Sequence, residues 1–247
     1  MIESMQRGAL ANAPLAVSAM AYGAVLGVLS GQQGVTWAEM MGMNIFLFAG
    51  SAQFVMVEMW SAPLPVAEIV VAVFIINLRY LLIGASLQPV FKGYGFGAKA
   101  AMMHLVADEN WAVTMAEHRT KGTDPFFLLG GGLLLGVAWS GSTIVGNVLG
   151  GFVVDPEKYG LDFAFVAVFA ALSLSLWRGR SDLLPWGTAA LLAVLANQFL
   201  PGKWYIVIGG LGGAICAALC SVLADRNQTR THDRLERDPV HGTEGVR

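Results

Sequence analysis

The chain is poor in charge. Only 13% of its 247 residues are Asp, Glu, Lys or Arg, against about 25% in an ordinary soluble domain. Its basic residues are scattered and its net charge is −2, which leaves no footprint for nucleic acid. It also lacks a phosphate-binding G-x-x-x-x-G-K-[ST] loop, an H-E-x-x-H pair and a G-x-S-x-G turn, so neither ATP hydrolysis nor membrane proteolysis is supported and no enzymatic activity is expected. Cysteine is scarce: Cys216 and Cys220 sit four apart on one face of the last apolar run. They lack the companions and spacing of a metal site, so no metal and no cofactor is expected. Strict alternation of apolar and polar residues is missing too, which argues against a β-barrel.

What the sequence has in quantity is apolar length. Hydrophobic residues make up 55% of the chain and mean hydropathy is +0.60. Runs of about 20 residues, enough to cross a bilayer, recur at Ala11–Ser30, Trp37–Trp60, Pro65–Leu87, Phe126–Phe152, Leu161–Trp177, Leu183–Leu200 and Trp204–Ala224. The fold class expected is all-α: a polytopic integral membrane protein with about seven transmembrane helices. An eighth stays open, because Gly95–Glu117 is helical in pattern but carries Lys99, His104, Asp108, Glu109 and Glu117. That segment reads as a surface helix, a re-entrant segment or a further span. The N-terminal run continues through Pro14 and Gly27 without a polar cleavage region, and reads as an uncleaved first helix. Residues 1–224 form one transmembrane domain. Residues 225–247 are polar and are expected to be a disordered tail.

Arginines at 226, 230, 234 and 237 place the C-terminus in the cytoplasm by the positive-inside rule. Seven spans put Lys92, Lys99, Arg119 and Lys121 inside and leave Arg7, Lys158 and Lys203 outside, narrowly the better count. A faint internal echo pairs the glycine-rich first span and the segment from Gly34 with the span around Gly141–Gly150 and the segment from Gly160. With seven spans, such units would be inverted repeats.

Several polar residues interrupt the apolar runs. Arg79 lies in the middle of the third and is the only basic side chain between Arg7 and Lys92. A guanidinium keeps its proton, so at that depth it must face protein, water or ligand. It offers a fork for a carboxylate, although pairing with Glu58 or Glu68 satisfies it equally well. Asn77 diverges from Arg79 by roughly 200° around an ideal helix, so the two share a site only if the helix is locally unwound or the site is wide. Gly50, Ser51 and Gln53, flanked by Phe48 and Phe54, can break the second run into half-helices whose free N–H groups suit an anion; close packing of a continuous helix accounts for the small residues as well. Asp108 and Glu109 are adjacent carboxylates, and repulsion raises the proton affinity of one of them. They read as a proton-coupling pair or as a solvated helix end, with Asp162 and Glu58 as further proton-site candidates.

Together these residues resemble the AzlC family of branched-chain amino-acid exporters. The resemblance runs from about Ala9 to Ala224 and is carried by Phe48–Phe54 (FAGSAQF), Asn77–Leu87 (NLRYLLIGASL), Asp108-Glu109 and Gly160–Phe169 (GLDFAFVAVF). One departure is Tyr80, where a histidine is common in the family. The resemblance implies proton-driven export of valine, leucine, isoleucine or methionine across the bacterial cytoplasmic membrane, with a small hydrophobic AzlD-type subunit as partner. It also favours Phe48, Gly50, Ser51, Gln53, Phe54, Asn77 and Arg79 as substrate-facing residues. Two other readings remain: a passive channel or facilitator for a small solute, and a scaffold subunit whose partner carries the path.

Overall fold

The computed structural model describes residues 1–152, 179–201 and 204–237, with single positions (158, 167, 170, 174 and 177) between them. The candidate span Leu161–Trp177, the echo segment from Gly160 and Asp162 lie outside the described residues. The chain divides into two compact units, Met1–Ser175 and Leu176–Arg247. Among the described residues every regular element is a helix, and four helical segments are long and apolar enough to cross a membrane: Ile2–Gln32, Val66–Ser86, Pro125–Gly150 and Trp204–Val222. The chain is a polytopic α-helical membrane protein.

The spine of the first unit is a pair of long helices, α1 (Ile2–Gln32) and α8 (Pro125–Gly150). They lie side by side because glycine strips both contact faces. A Cβ on Gly8 would strike the backbone of Phe127, one on Gly27 that of Thr143 and Gly146, and one on Gly31 that of Asn147. Such close backbone approach replaces the hydrophobic drive that lipid cannot supply. The contacts advance along both helices together, so α1 and α8 run parallel. The two glycine-rich spans therefore are not an inverted pair, which corrects the orientation that the internal echo suggested.

Between them, the second apolar run folds as two short helices, α2 (Trp37–Phe46) and α3 (Gly50–Glu58), separated by Leu47–Ala49. The expected break is present, three residues ahead of Gly50–Gln53. It is a reversal rather than an interruption. Phe48 reaches Gly136 of α8, Gly50 abuts Trp139, and Phe54 and Val57 return to a core with Leu26, Leu29, Val35 and Met40. Ten and nine residues span about 15 and 14 Å, half of a hydrocarbon core about 30 Å thick. Trp37–Trp60 is thus a re-entrant hairpin that enters and leaves on the face where α1 ends. Thr36 caps α2 with a capping box: its backbone N–H donates to Glu39 (2.8 Å) and its hydroxyl accepts from the Glu39 N–H (3.3 Å).

The third run does cross, as α4 (Val66–Asn77) and α5 (Arg79–Ser86) joined at Leu78. Two i→i+3 bonds, Leu78 N–H to Ile75 O and Leu81 N–H to Leu78 O, tighten the helix there. Next come α6 (Phe96–Met103) and α7 (Asp108–Lys121). Tyr94 packs edge-on against Phe126 at the start of α8, whereas Leu105 lies against Gly132 and Gly136, near its middle. Helix α7 then returns: Glu117 pairs with Arg7 near the start of α1, and Ser4 donates to Asp124, the cap of α8 (2.6 Å). Of the three readings of Gly95–Glu117, the re-entrant one is realised, and this hairpin enters from the face opposite to the first.

In the second unit, α9 (Leu183–Phe199) packs antiparallel on α10 (Trp204–Arg237), with Gly209 and Gly213 against Ala189 and Ala193. The helical backbone of α10 continues to Arg237, past Ala224 where the apolar run ends. Both cysteines are free and half-buried.

Candidate functional site

The two hairpin tips meet in mid-membrane. His104, just after α6, donates from Nε2 to the Ile45 carbonyl near the end of α2 (2.7 Å). Each turn is stapled to α8 by a buried amide. In the second hairpin, Asn110 accepts from the Ala107 N–H (2.8 Å) and donates to Leu105 O (2.8 Å) and Leu128 O (3.3 Å). In the first, Trp139 Nε1 donates to Gln53 Oε1 (2.7 Å), Gln53 Nε2 donates to Asn44 Oδ1 (3.1 Å), and Asn44 Nδ2 donates to Thr143 Oγ1 (2.8 Å). The links to Leu128, Trp139 and Thr143 tie both hairpins to α8, against sliding that apolar packing alone could permit.

Beside the tips lies a cavity of about 290 Å³. Its apolar wall comes from Leu15, Ala19, Phe48, Phe54, Leu135 and Trp139; its polar wall from Ser51, Arg79, Tyr80, Asp108 and Glu109. Arg79 is the first residue of α5, Ser51 lies in the first turn of α3, and Asp108 opens α7, so three helix starts converge. Arg79 Nη1 lies 2.6 Å from Asp108 Oδ2, and Nη2 donates to Ser51 Oγ (2.9 Å). The guanidinium carbon also sits 5.4 Å from the centroid of the Tyr80 ring. Over a third of each charged side chain stays accessible, 36% for Arg79 and 44% for Asp108. Two buried atoms of the pair, Arg79 Nε and Asp108 Oδ1, have no partner among the described residues.

Phe48, Gly50, Ser51, Phe54, Arg79, Asp108 and Glu109 all line this cavity. Gln53 does not: it is fully buried, and both ends of its amide are engaged in the staple. Asn77 is absent from the lining too; Leu78 prolongs the helical path without unwinding it enough to bring Asn77 round, and Asn77 Oδ1 is buried with no partner among the described residues. Glu58 lies at the far end of α3, and the ion pair that Arg79 makes is with Asp108 rather than with Glu58 or Glu68. The lining also includes Leu15, Ser18, Ala19 and Tyr22 of α1 and Trp139 of α8. The α1 set follows i, i+3, i+4, i+7 spacing, the stripe of a single helix face, and Ser18 and Tyr22 are its only polar members. That stripe is the signal in the sequence by which the α1 wall could have been found.

A charged, partly accessible cavity between two opposed re-entrant hairpins defines the class: a multi-pass membrane protein with a mid-membrane cavity. The model of the AzlC protein family matches residues 14–153, and the chain belongs to that family. It is 25% identical over 179 residues to a Bacillus subtilis relative described as a branched-chain amino acid transport protein, AzlC, covering 68% of each chain. It is also 23% identical to an uncharacterized membrane protein of Helicobacter pylori strain J99, over 75% of this chain and 81% of that one. An uncharacterized membrane protein of Archaeoglobus fulgidus is 26% identical, over 71% and 77% respectively. No solved structure matches the chain.

Proposed function

We propose that this chain is a membrane transporter rather than an enzyme: the large subunit of a secondary exporter for the branched-chain amino acids valine, leucine and isoleucine, with methionine as a further substrate. It draws on the proton gradient and works with a small AzlD-type subunit in the bacterial cytoplasmic membrane, its C-terminus on the cytoplasmic side. The observation that carries the reading is Arg79, placed at the polar end of a mid-membrane cavity whose other walls are Leu15, Phe48, Phe54 and Leu135. A guanidinium suits a carboxylate, and aliphatic and aromatic walls suit a branched side chain. The cavity is of amino-acid size. The name of the Bacillus relative points the same way.

In this reading Arg79, Ser51 and the start of α3 hold the carboxylate, and Asp108 and Glu109 serve the proton. The hairpins entering from opposite faces supply two candidate gates, one toward each side. The test is efflux of labelled valine, leucine, isoleucine and methionine from preloaded proteoliposomes, with and without the small subunit and with and without a pH gradient. Efflux that responds to the gradient supports the proposal. Flux that ignores the gradient turns it into a facilitator, and no flux from a folded complex removes the substrate assignment.

A further inference from the structure

The cavity carries one guanidinium and two carboxylates, so one carboxylate is in excess. The Arg79–Asp108 pair sets a guanidinium and a carboxylate side by side in the cavity lining, 2.6 Å apart, with over a third of each side chain accessible. A ligand that answers both charges must offer an acceptor and a donor together. The zwitterionic head of a free amino acid does this: its carboxylate meets the Arg79 guanidinium while its ammonium meets the Asp108 carboxylate, with Glu109 in the same lining.

We propose that Asp108 is the ammonium ligand of the site, so that substrate and proton compete for the same carboxylate. This rests on the transport reading above and deepens it. Asp108 pairs with Arg79 from α5, and the polar and titratable residues that share its cavity lining are Tyr80 from α5, Glu109 on its own helix, Ser51 from α3 and Ser18 and Tyr22 from α1. Two linkages are conceivable, and they have opposite signs. If proton and substrate bound together, they would travel in one direction. If Asp108 holds the ammonium, a proton on Asp108 expels the substrate, because linkage is reciprocal. Only the second sign lets an inward proton gradient drive a substrate outward through one alternating site. It needs no further reactant: one proton binds a carboxylate where one ammonium leaves it.

The experiment is titration calorimetry on the purified full-length chain, with and without the small subunit, using L-valine, 2-hydroxyisovalerate and isobutylamine between pH 5 and 8. The hydroxy acid lacks the ammonium and the amine lacks the carboxylate. Valine is expected to bind at least about tenfold tighter than either, a difference of about 1.4 kcal/mol. Its affinity should fall on acidification. Asp108→Asn should abolish both the preference over the hydroxy acid and the pH dependence, and Asp108→Glu should retain both. The analogue series on the unmodified chain decides the matter even if Asp108→Asn fails to fold. Hydroxy acid binding as tightly as valine, or valine binding that tightens on acidification, overturns the proposal while leaving the transport reading in place. Binding by none of valine, leucine, isoleucine and methionine to the folded protein overturns both.

Discussion

At the scale of single residues, the two polar side chains that stand out in the second and third apolar runs divide the labour. Gln53 is wholly buried and bonded at both ends to Trp139 and Asn44. Gln53→Ala leaves a donor and an acceptor unmet, each costing about 1–3 kcal/mol. A loss of about 2–4 kcal/mol of stability is expected, read as a lower thermal midpoint in detergent. Arg79→Ala removes a partly accessible ion pair, a kind worth about 1 kcal/mol or less, yet it takes away the only cation of the cavity lining among the described residues. Efflux should therefore be lost while the midpoint hardly moves. If the two variants exchanged these phenotypes, the assignment of staple and ligand would be reversed. Arg79 was legible in the sequence because a permanent charge inside an apolar run breaks the pattern. Its partner was not: Asp108 lies 29 positions on, and Glu58 and Glu68 are nearer along the chain. Gln53 misled for a related reason. Mid-membrane polarity signals a need for partners without saying whether protein or ligand supplies them, and Trp139 is 86 positions away.

At the scale of elements, the long helices were legible and the hairpins were not. A continuous span and two half-helices folded back on each other have the same hydropathy, so Trp37–Trp60 reads as one crossing. What distinguishes them is a tertiary fact, the return of Phe54 and Val57 to Leu26 and Leu29. The α1–α8 seam, by contrast, is written in the glycine spacing of Gly23, Gly27 and Gly31, one face of one helix. There a side chain has nowhere to go. Gly27→Leu places atoms in the backbone of Thr143 and Gly146 and should cost about 3 kcal/mol through overpacking, seen as reduced yield of folded protein and a lower melting point. Gly141→Ala is the control, on the partner helix α8: a Cβ there meets nothing within 4 Å, and stability should be unchanged or slightly raised. Equal damage from both would mean that the seam is not the spine of the unit.

At the scale of the whole first unit, the topology sorts charge in a way that no linear reading did. Arg7 pairs with Glu117, Lys121 lies near the same carboxylate (3.7 Å), and Lys92 sits between Phe91 and Tyr94, which pack against the start of α8. Lys99 and Arg119 belong to the hairpin that opens on this face. Apart from Arg79, every basic residue of 1–152 thus gathers on the side where α1 begins, whereas Glu39, Glu58 and Glu68 lie toward the other. The sequence count had put Arg7 outside because it took Trp37–Trp60 for a crossing; turning that segment back moves Arg7 in with the rest. By the positive-inside rule the N-terminus is expected on the cytoplasmic side. Single cysteines, in a background with Cys216 and Cys220 replaced by serine, test orientation and hairpin together. Gly34→Cys and Ala62→Cys should both react with a membrane-impermeant maleimide from outside intact cells, while Gly122→Cys reacts only after permeabilisation. Labelling of 34 and 62 from opposite sides would restore the crossing and dissolve the hairpin. Labelling of both only from within would keep the hairpin and reverse the orientation, because positions 34 and 62 share a face whichever way the unit points.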